Sequence, residues 1–172
     1  MARLIILNGP PGVGKSTIAA RLHKDISNSI LLDIDEIRRS IPNYKEQRKE
    51  SLILAYQEAM RTIEDCLAKD QTVIIDKVVS DSDTLDSFVE AGNKQGVVIN
   101  EILLFADKES VQKRADERGY KPGSLLTRER VGDMWDQVSV LRRSRNNAVV
   151  MDTTHLNLEE VYKNVRGIIG QV

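Results

Sequence analysis

The 172-residue sequence predicts one three-layer α/β domain built around a parallel sheet of about five strands. Two observations support this prediction: short aliphatic runs alternate with longer amphipathic segments, and no repeat, low-complexity tract or linker divides the chain. Parallel strands need long crossover connections, which are usually helices, so the alternation favours right-handed βαβ units. We therefore treat residues 1–172 as a single domain.

Five short runs predict the strands, and several of them contain β-branched residues, as is typical of strands buried on both faces. The predicted strands cover residues 4–7, 30–32, 72–75, 97–105 and 148–151. Helices are predicted over about 15–25, 82–95, 108–118, 127–142 and 158–169. The clearest helical pattern lies between residues 52 and 67, where apolar side chains recur every three or four positions.

Composition restricts the class of partner. The formal net charge is -1, so no global positive field gathers nucleic acid, and we do not expect nucleic acid as the partner. The single cysteine, Cys66, allows no intramolecular disulfide and fits a reducing compartment. No apolar run approaches transmembrane length, so we expect a cytoplasmic protein without a membrane partner. The oligomeric state stays open, because no helix carries a sustained heptad seam.

The segment GPPGVGKS, residues 9–16, satisfies the phosphate-loop pattern G-x-x-x-x-G-K-[ST] in full, between a predicted strand and a predicted helix. Its glycines let backbone N–H groups converge on phosphate oxygens at a helix N-terminus. Lys15 can reach the β- and γ-phosphates, and the Ser16 hydroxyl can ligate Mg²⁺. The residues predicted to bind ATP are Gly9, Pro10, Pro11, Gly12, Val13, Gly14, Lys15, Ser16 and Thr17.

Two alternatives to ATP binding are a glycine-rich turn without a ligand and a GTP site. The complete pattern in its strand–helix context disfavours the first. GTP is less favoured because the sequence holds no base-reading N-K-x-D motif.

A carboxylate ends the third predicted strand, at Asp76. Ligands of open α/β sheets bind outside the carboxyl ends of the strands, so Asp76 is a candidate for holding Mg²⁺ together with Ser16, and for binding substrate. The alternative is an aspartate that caps a helix or forms a turn.

The second predicted strand ends in a charged segment that starts with Asp33 and Asp35. An extended chain would place these two carboxylates on one face, where either could take a proton from an acceptor hydroxyl. Asp35 is the preferred general base because it leaves the strand where a short helix begins. Asp33 and Arg38 are predicted to bind substrate, since Arg38 would share a helix face with Asp35. The alternative is that Asp35 only caps that helix.

Arg114 and Arg118 lie four positions apart and share a predicted helix face. Gly119 and Gly123 follow, which predicts a mobile lid over about 114–130. Arginines on a lid can stabilise the charge that develops on a transferred phosphoryl group. The alternative is a solvated helix face, since other charged residues surround them.

Five motifs in order resemble small P-loop kinases of the nucleoside-monophosphate-kinase-like group and, within it, the chloramphenicol phosphotransferase-like family. They are LIILNG with the following GKS, Asp35 followed by Ser40-Ile41-Pro42, IIDKV at 74–78, Arg114-x-x-x-Arg118-Gly119, and VVMDTTH at 149–155. Lys77 stands where that family has a second acidic residue.

The resemblance implies a P-loop NTPase fold with strand order 2-3-1-4-5 and transfer of the γ-phosphoryl group of ATP to a small-molecule hydroxyl. It implies that Asp35 is the base, that the phosphate loop binds ATP, and that Arg114 and Arg118 act from the lid.

Two other functions stay open. Asp35-x-x-Arg38 is also similar to the acceptor motif of polynucleotide 5′-hydroxyl kinases, which makes a nucleoside or polynucleotide 5′-hydroxyl an alternative acceptor. A nucleotide-binding switch without an acceptor is the other alternative. The combination of Asp35 with the lid arginines favours an enzyme, because a pure binder needs neither.

Overall fold

The computed structural model describes residues 1–120 and 125–170. Its strands are β1 Arg3–Asn8, β2 Ser29–Asp33, β3 Thr72–Asp76, β4 Val98–Phe105 and β5 Val149–Asp152. Its helices are α1 Lys15–Asp25, α2 Ile34–Ser40, α3 Arg48–Ala68, α4 Ser82–Lys94, α5 Lys108–Arg118, α6 Arg128–Arg142 and α7 Leu158–Ile169. The predicted strands and helices are all present, with ends that differ by a few residues.

The five strands form one parallel sheet in the order β2-β3-β1-β4-β5. This confirms the predicted α/β class and the strand order that the family resemblance implied. β1 lies in the centre, and its carboxyl end leads directly into the phosphate loop. In the parallel register Leu7 pairs with Asp76 and Asp33 pairs with Asp76, so the ends of β1, β2 and β3 lie side by side.

Alternate residues of β1 enter two different cores, as the period of two in a strand requires. Ile5 and Leu7 belong to the core that also holds buried residues of α1, α5 and α7. Leu4 and Ile6 belong to the opposite core, which is filled from α3 and α4. The sheet is therefore buried on both faces, and the three layers are helices, sheet and helices.

The carboxyl edge of the sheet is fixed by contacts that follow the strands. The backbone N–H of Lys77, just after β3, donates to the carbonyl of Leu7 at 3.3 Å. The end of β5 is fixed by Thr153, which is fully buried and whose N–H and hydroxyl both donate to the carbonyl of Phe105. Both loops therefore leave the sheet at defined positions around the phosphate loop.

None of the helices in the described ranges, 1–120 and 125–170, is long and apolar enough to cross a membrane.

Candidate functional site

The phosphate loop connects β1 to α1 in a backbone conformation that requires glycine. Gly14 is the N-cap of α1 with φ of 93°, and a Cβ there would lie 2.7 Å from a methyl group of Leu158. Gly9 has φ of 144°, and a Cβ there would lie 2.1 Å from the carbonyl oxygen of Leu104. The loop is therefore pressed against β4 on one side and α7 on the other, with its N–H groups at the N-terminus of α1.

Lys15, the first residue of α1, is buried, and its ammonium donates to the carbonyl of Pro10 at 2.9 Å. Burial lowers the pKa of Lys15 from 10.5 to about 8. The carboxylates of Asp76 and Asp35 oppose this decrease in pKa, while the cations of Arg118 and Lys77 add to it. Five charged side chains, two acidic and three basic, therefore act on one another at the mouth of the phosphate loop.

Asp33 and Asp35 have different environments, although they are only two positions apart. β2 ends at Asp33 and α2 begins at Ile34, so the two side chains do not share a strand face as the alternating pattern predicted. Asp33 is the N-cap of α2: its carboxylate accepts from the N–H of Glu36 at 3.0 Å and lies 3.5 Å from Arg39. The capping role considered for Asp35 therefore belongs to Asp33.

Asp35, in the first turn of α2, points instead to the end of β3. Its carboxylate forms an ion pair with the ammonium of Lys77, and it remains about half exposed while the Lys77 side chain is only 10% exposed. The sequence comparison had singled out Lys77 only as a departure from the family pattern. In the structure, the ammonium of Lys77 contacts the carboxylate of Asp35, the predicted base.

Arg38 lies one turn after Asp35, but its guanidinium is engaged in the protein. It donates to the hydroxyl of Ser51 at 3.1 Å and to the carbonyl of Arg48 at 2.7 Å. The buried hydroxyl of Ser51 in turn lies 3.1 Å from the carbonyl of Tyr44. Arg38 thus joins α2 to the start of α3.

Asp76 ends β3 beside the phosphate loop, and the N-cap of α4 is Asp81, so Asp76 does not cap that helix. Its carboxylate raises the pKa of Lys15 against the effect of burial. The hydroxyl of Ser16 is exposed in the first turn of α1. Oxygen donors of these two kinds are the ligands that Mg²⁺ prefers.

The two arginines of α5 are directed to different places. The guanidinium of Arg114 donates to the carbonyls of Thr153 and Thr154 at 2.9 and 3.0 Å, in the turn after β5. Arg118 is exposed, and its charge lowers the pKa of Lys15, so it lies toward the phosphate loop. Part of the predicted lid, residues 121–124, lies outside the described residues.

One cavity borders the phosphate loop, and a second lies between two helices. One, of about 350 Å³, is lined by the phosphate loop at Gly12 and Gly14, by Arg114 and by the segment from Thr153 to Val161. The other, of about 540 Å³, lies between α3 and α4. Its lining combines Ile53, Tyr56, Met60 and Phe88 with the polar side chains Gln57, Arg61, Thr84 and Ser87. Both volumes are in the range of small-molecule sites.

Tyr56 links the second cavity to the charged cluster. Burial raises the pKa of the Tyr56 hydroxyl, and the carboxylates of Asp81 and Asp35 raise it further. The ring of Tyr56 packs 6.2 Å from that of Phe88, measured between ring centroids.

Sequence reasoning missed Asn8, the last residue of β1. Its side chain is completely buried, and its oxygen accepts from the N–H groups of Gly9 and Val79 at 2.7 and 2.9 Å. Its amide nitrogen donates to the carbonyl of Val79 at 3.0 Å. An asparagine at the end of an apolar strand was the available signal, because a buried amide must find hydrogen-bond partners.

A family model described as an AAA domain, AAA_33, matches residues 4–141. The fold is similar to that of the Deinococcus radiodurans tunicamycin resistance protein, with TM-score 0.68, 18% identity and coverage of 100% of this chain and 98% of that one. A gluconokinase from Sinorhizobium meliloti 1021 matches with TM-score 0.66 and 15% identity over 96% of this chain and 90% of that one. A deoxyadenosine kinase from M. mycoides matches with TM-score 0.58 and 14% identity over 96% and 97%.

Proposed function

The chain belongs to the AAA_33 family of AAA domains and has a kinase-like P-loop fold, and from that premise we propose that it is an ATP-dependent kinase of a small hydroxylated molecule. In this reaction the acceptor oxygen bonds to the γ-phosphorus of ATP while the bond to the bridging oxygen breaks. ADP leaves with that electron pair, and the acceptor proton passes to Asp35. The observation that carries the proposal is the ion pair of Asp35 with Lys77, because the backbone of Lys77 is bonded to the strand that leads into the phosphate loop.

Nucleotide binding is assigned to the phosphate loop and the 350 Å³ cavity beside it. The loop from Gly9 to Thr17 would hold the phosphates through its N–H groups and through Lys15. Arg114 would hold the turn at Thr153 and Thr154 that lines the same cavity. Arg118, nearer Lys15, would stabilise charge on the transferred group.

Magnesium would be held by Ser16 and Asp76, whose hydroxyl and carboxylate oxygens suit this ion. When bound, the ion neutralises charge on the β- and γ-phosphates. The described residues contain no cluster of three or more His, Cys, Asp or Glu side chains of the kind that holds a metal ion without substrate.

The acceptor side is assigned to the region between α2, α3 and α4. The carboxylate of Asp35 raises the pKa of Tyr56 there, and the cavity lined by Tyr56, Met60 and Phe88 offers mainly apolar surface. An acceptor with a hydroxyl group and an apolar body fits this combination. The resemblance of the sequence motifs to the chloramphenicol phosphotransferase-like family also supports a small-molecule hydroxyl as acceptor.

The experiment is a measurement of ADP release with ATP and Mg²⁺, alone and with a panel of hydroxyl acceptors. The panel contains chloramphenicol, other antibiotics, sugars, nucleosides and a 5′-hydroxyl oligonucleotide. Stimulation by a small molecule that is lost in Asp35→Asn supports the proposal. Stimulation by the oligonucleotide with steep salt dependence would identify a polynucleotide kinase instead. ATP binding with no stimulation by any acceptor would favour a nucleotide-binding switch.

A further inference from the structure

We propose that Lys77 is a positioning residue for phosphoryl transfer, which holds one oxygen of the Asp35 carboxylate so that the other faces the acceptor hydroxyl. The inference rests on the proposed kinase function, and it adds a residue that the phosphate-loop pattern does not contain. It is carried by the ion pair between Lys77 and Asp35 together with the rigid attachment of Lys77 to the phosphate-loop strand.

The Lys77 end of the pair is fixed to the sheet. Its N–H donates to the carbonyl of Leu7 at 3.3 Å, two residues before the phosphate loop begins at Gly9. Two residues further on, the backbone of Val79 is held from both sides by the side chain of Asn8. Because the Lys77 side chain is also nearly buried, its ammonium has a defined position relative to the phosphate loop.

The Asp35 end has fewer constraints. The backbone of α2 is fixed by the Asp33 cap and by the bonds of Arg38 to α3, but these do not involve the Asp35 carboxylate. Within residues 1–120 and 125–170, Lys77 is the one residue whose side chain donates a hydrogen bond to that carboxylate. The direction of the carboxylate therefore depends on Lys77, while half of its surface stays open.

This arrangement is useful in the proposed reaction because a base must be aligned with the proton that it takes. One oxygen of the Asp35 carboxylate is bound to Lys77. The other takes the proton of the substrate hydroxyl while the hydroxyl oxygen bonds to the γ-phosphorus and ADP departs. Lys77 transfers no proton in this step. Its charge also helps to lower the pKa of Lys15.

The test compares Lys77→Met and Lys77→Arg with Lys94→Met, which removes an exposed lysine from a surface ion pair with Glu90. Turnover with the best acceptor of the panel gives kcat, and titration with a non-hydrolysable ATP analogue gives nucleotide affinity. Both are repeated with Lys77→Met in the Asp35→Asn background, by single-turnover assay. Thermal unfolding of each variant identifies loss of folding, and Lys77→Arg serves as the second variant if Lys77→Met does not fold.

We expect Lys77→Met to lower kcat by about tenfold to hundredfold, a part of what a general base contributes, with nucleotide affinity changed less than about twofold. Lys77→Arg recovers part of the loss, and Lys94→Met has no effect. In the Asp35→Asn background, Lys77→Met adds less than about twofold, because its effect passes through Asp35.

Wild-type turnover in Lys77→Met overturns the inference and leaves the kinase proposal intact. An equal loss in the Asp35→Asn background, or a matching loss of nucleotide affinity, also overturns it, since Lys77 would then act on phosphate or on folding. A wild-type protein that phosphorylates no acceptor overturns the proposed function and this inference together.

Discussion

The side chain of Asn8 closes two hydrogen bonds on the backbone of Val79, which is 71 residues further along the chain. Its oxygen also accepts from the N–H of Gly9, so one buried amide joins β1, the phosphate loop and the segment after β3. That segment carries Lys77, the partner of Asp35. The distance between the phosphate loop and the proposed base is therefore set in part by a side chain that is completely buried.

Asn8→Ala should destabilise the protein by about 2–4 kcal/mol, because it leaves buried backbone groups of Gly9 and Val79 without partners. Urea unfolding measures the change in the free energy of unfolding. Asn93→Ala, at an exposed position of α4, is the control, and its free energy of unfolding should stay within about 0.5 kcal/mol of wild type. A change at Asn8 no larger than that of the control would show that water replaces the amide at no cost.

Asp35→Asn should lower kcat by at least about 100-fold while ATP affinity stays within about twofold, because the loss falls on proton transfer. Asp33→Asn is the matched control: asparagine is an equally good N-cap, and the carboxylate's other partner is an exposed arginine at 3.5 Å. We expect its kcat within about twofold of wild type. A large loss of kcat in Asp33→Asn would instead support the substrate-binding role predicted from the sequence.

The different environments of these two aspartates show which part of the site could not be predicted from the sequence. The strands and helices were predictable because each buries an apolar pattern of its own period. The direction in which the Asp35 side chain points was not predictable, because the chain changes from strand to helix at Ile34, within the charged segment itself. A period of two applies only while the strand continues.

Contacts between residues far apart in the sequence explain the remaining differences between the predicted and the observed site. Lys77 meets Asp35 across 42 positions, and Arg114 meets Thr153 across 39, so no local pattern reports either pair. The helical spacing of Arg114 and Arg118 was right, yet it did not predict that one is bound to the turn after β5 while the other faces Lys15.

Lys15 predicts how stability depends on pH. Burial lowers its pKa in the folded protein from 10.5 to about 8, so between these values the unfolded chain binds more protons than the folded one. The free energy of unfolding should therefore gain about 3 kcal/mol from this residue as pH rises from about 8 to 10.5. Urea unfolding across this range, compared between wild type and Lys15→Met, measures the contribution.

The same reasoning predicts that Lys15→Met stabilises the nucleotide-free protein at pH 7, where wild type buries a charged ammonium, and that it weakens ATP binding. Lys94→Met, at an exposed position, should leave the pH dependence as in wild type. An unchanged slope in Lys15→Met would mean that the ammonium is solvated in the folded protein.

Substitutions of Arg114 and Arg118 should have different kinetic effects, because Arg114 is bonded to the turn after β5 while the charge of Arg118 acts on Lys15. Arg114→Met releases the turn at Thr153 and Thr154, so we expect the KM for ATP to rise about tenfold with kcat changed less than about threefold. Arg118→Met removes a cation beside Lys15, so we expect kcat to fall about 100-fold and the pKa of Lys15 to rise above about 8.

Steady-state kinetics with varied ATP distinguish the two effects, and Arg130→Met, exposed in the first turn of α6, is the control. Equal losses of kcat in both variants would contradict these separate roles and would favour the lid role that the sequence predicted for both arginines. In that case Arg114 would have to leave the carbonyls of Thr153 and Thr154 during the reaction.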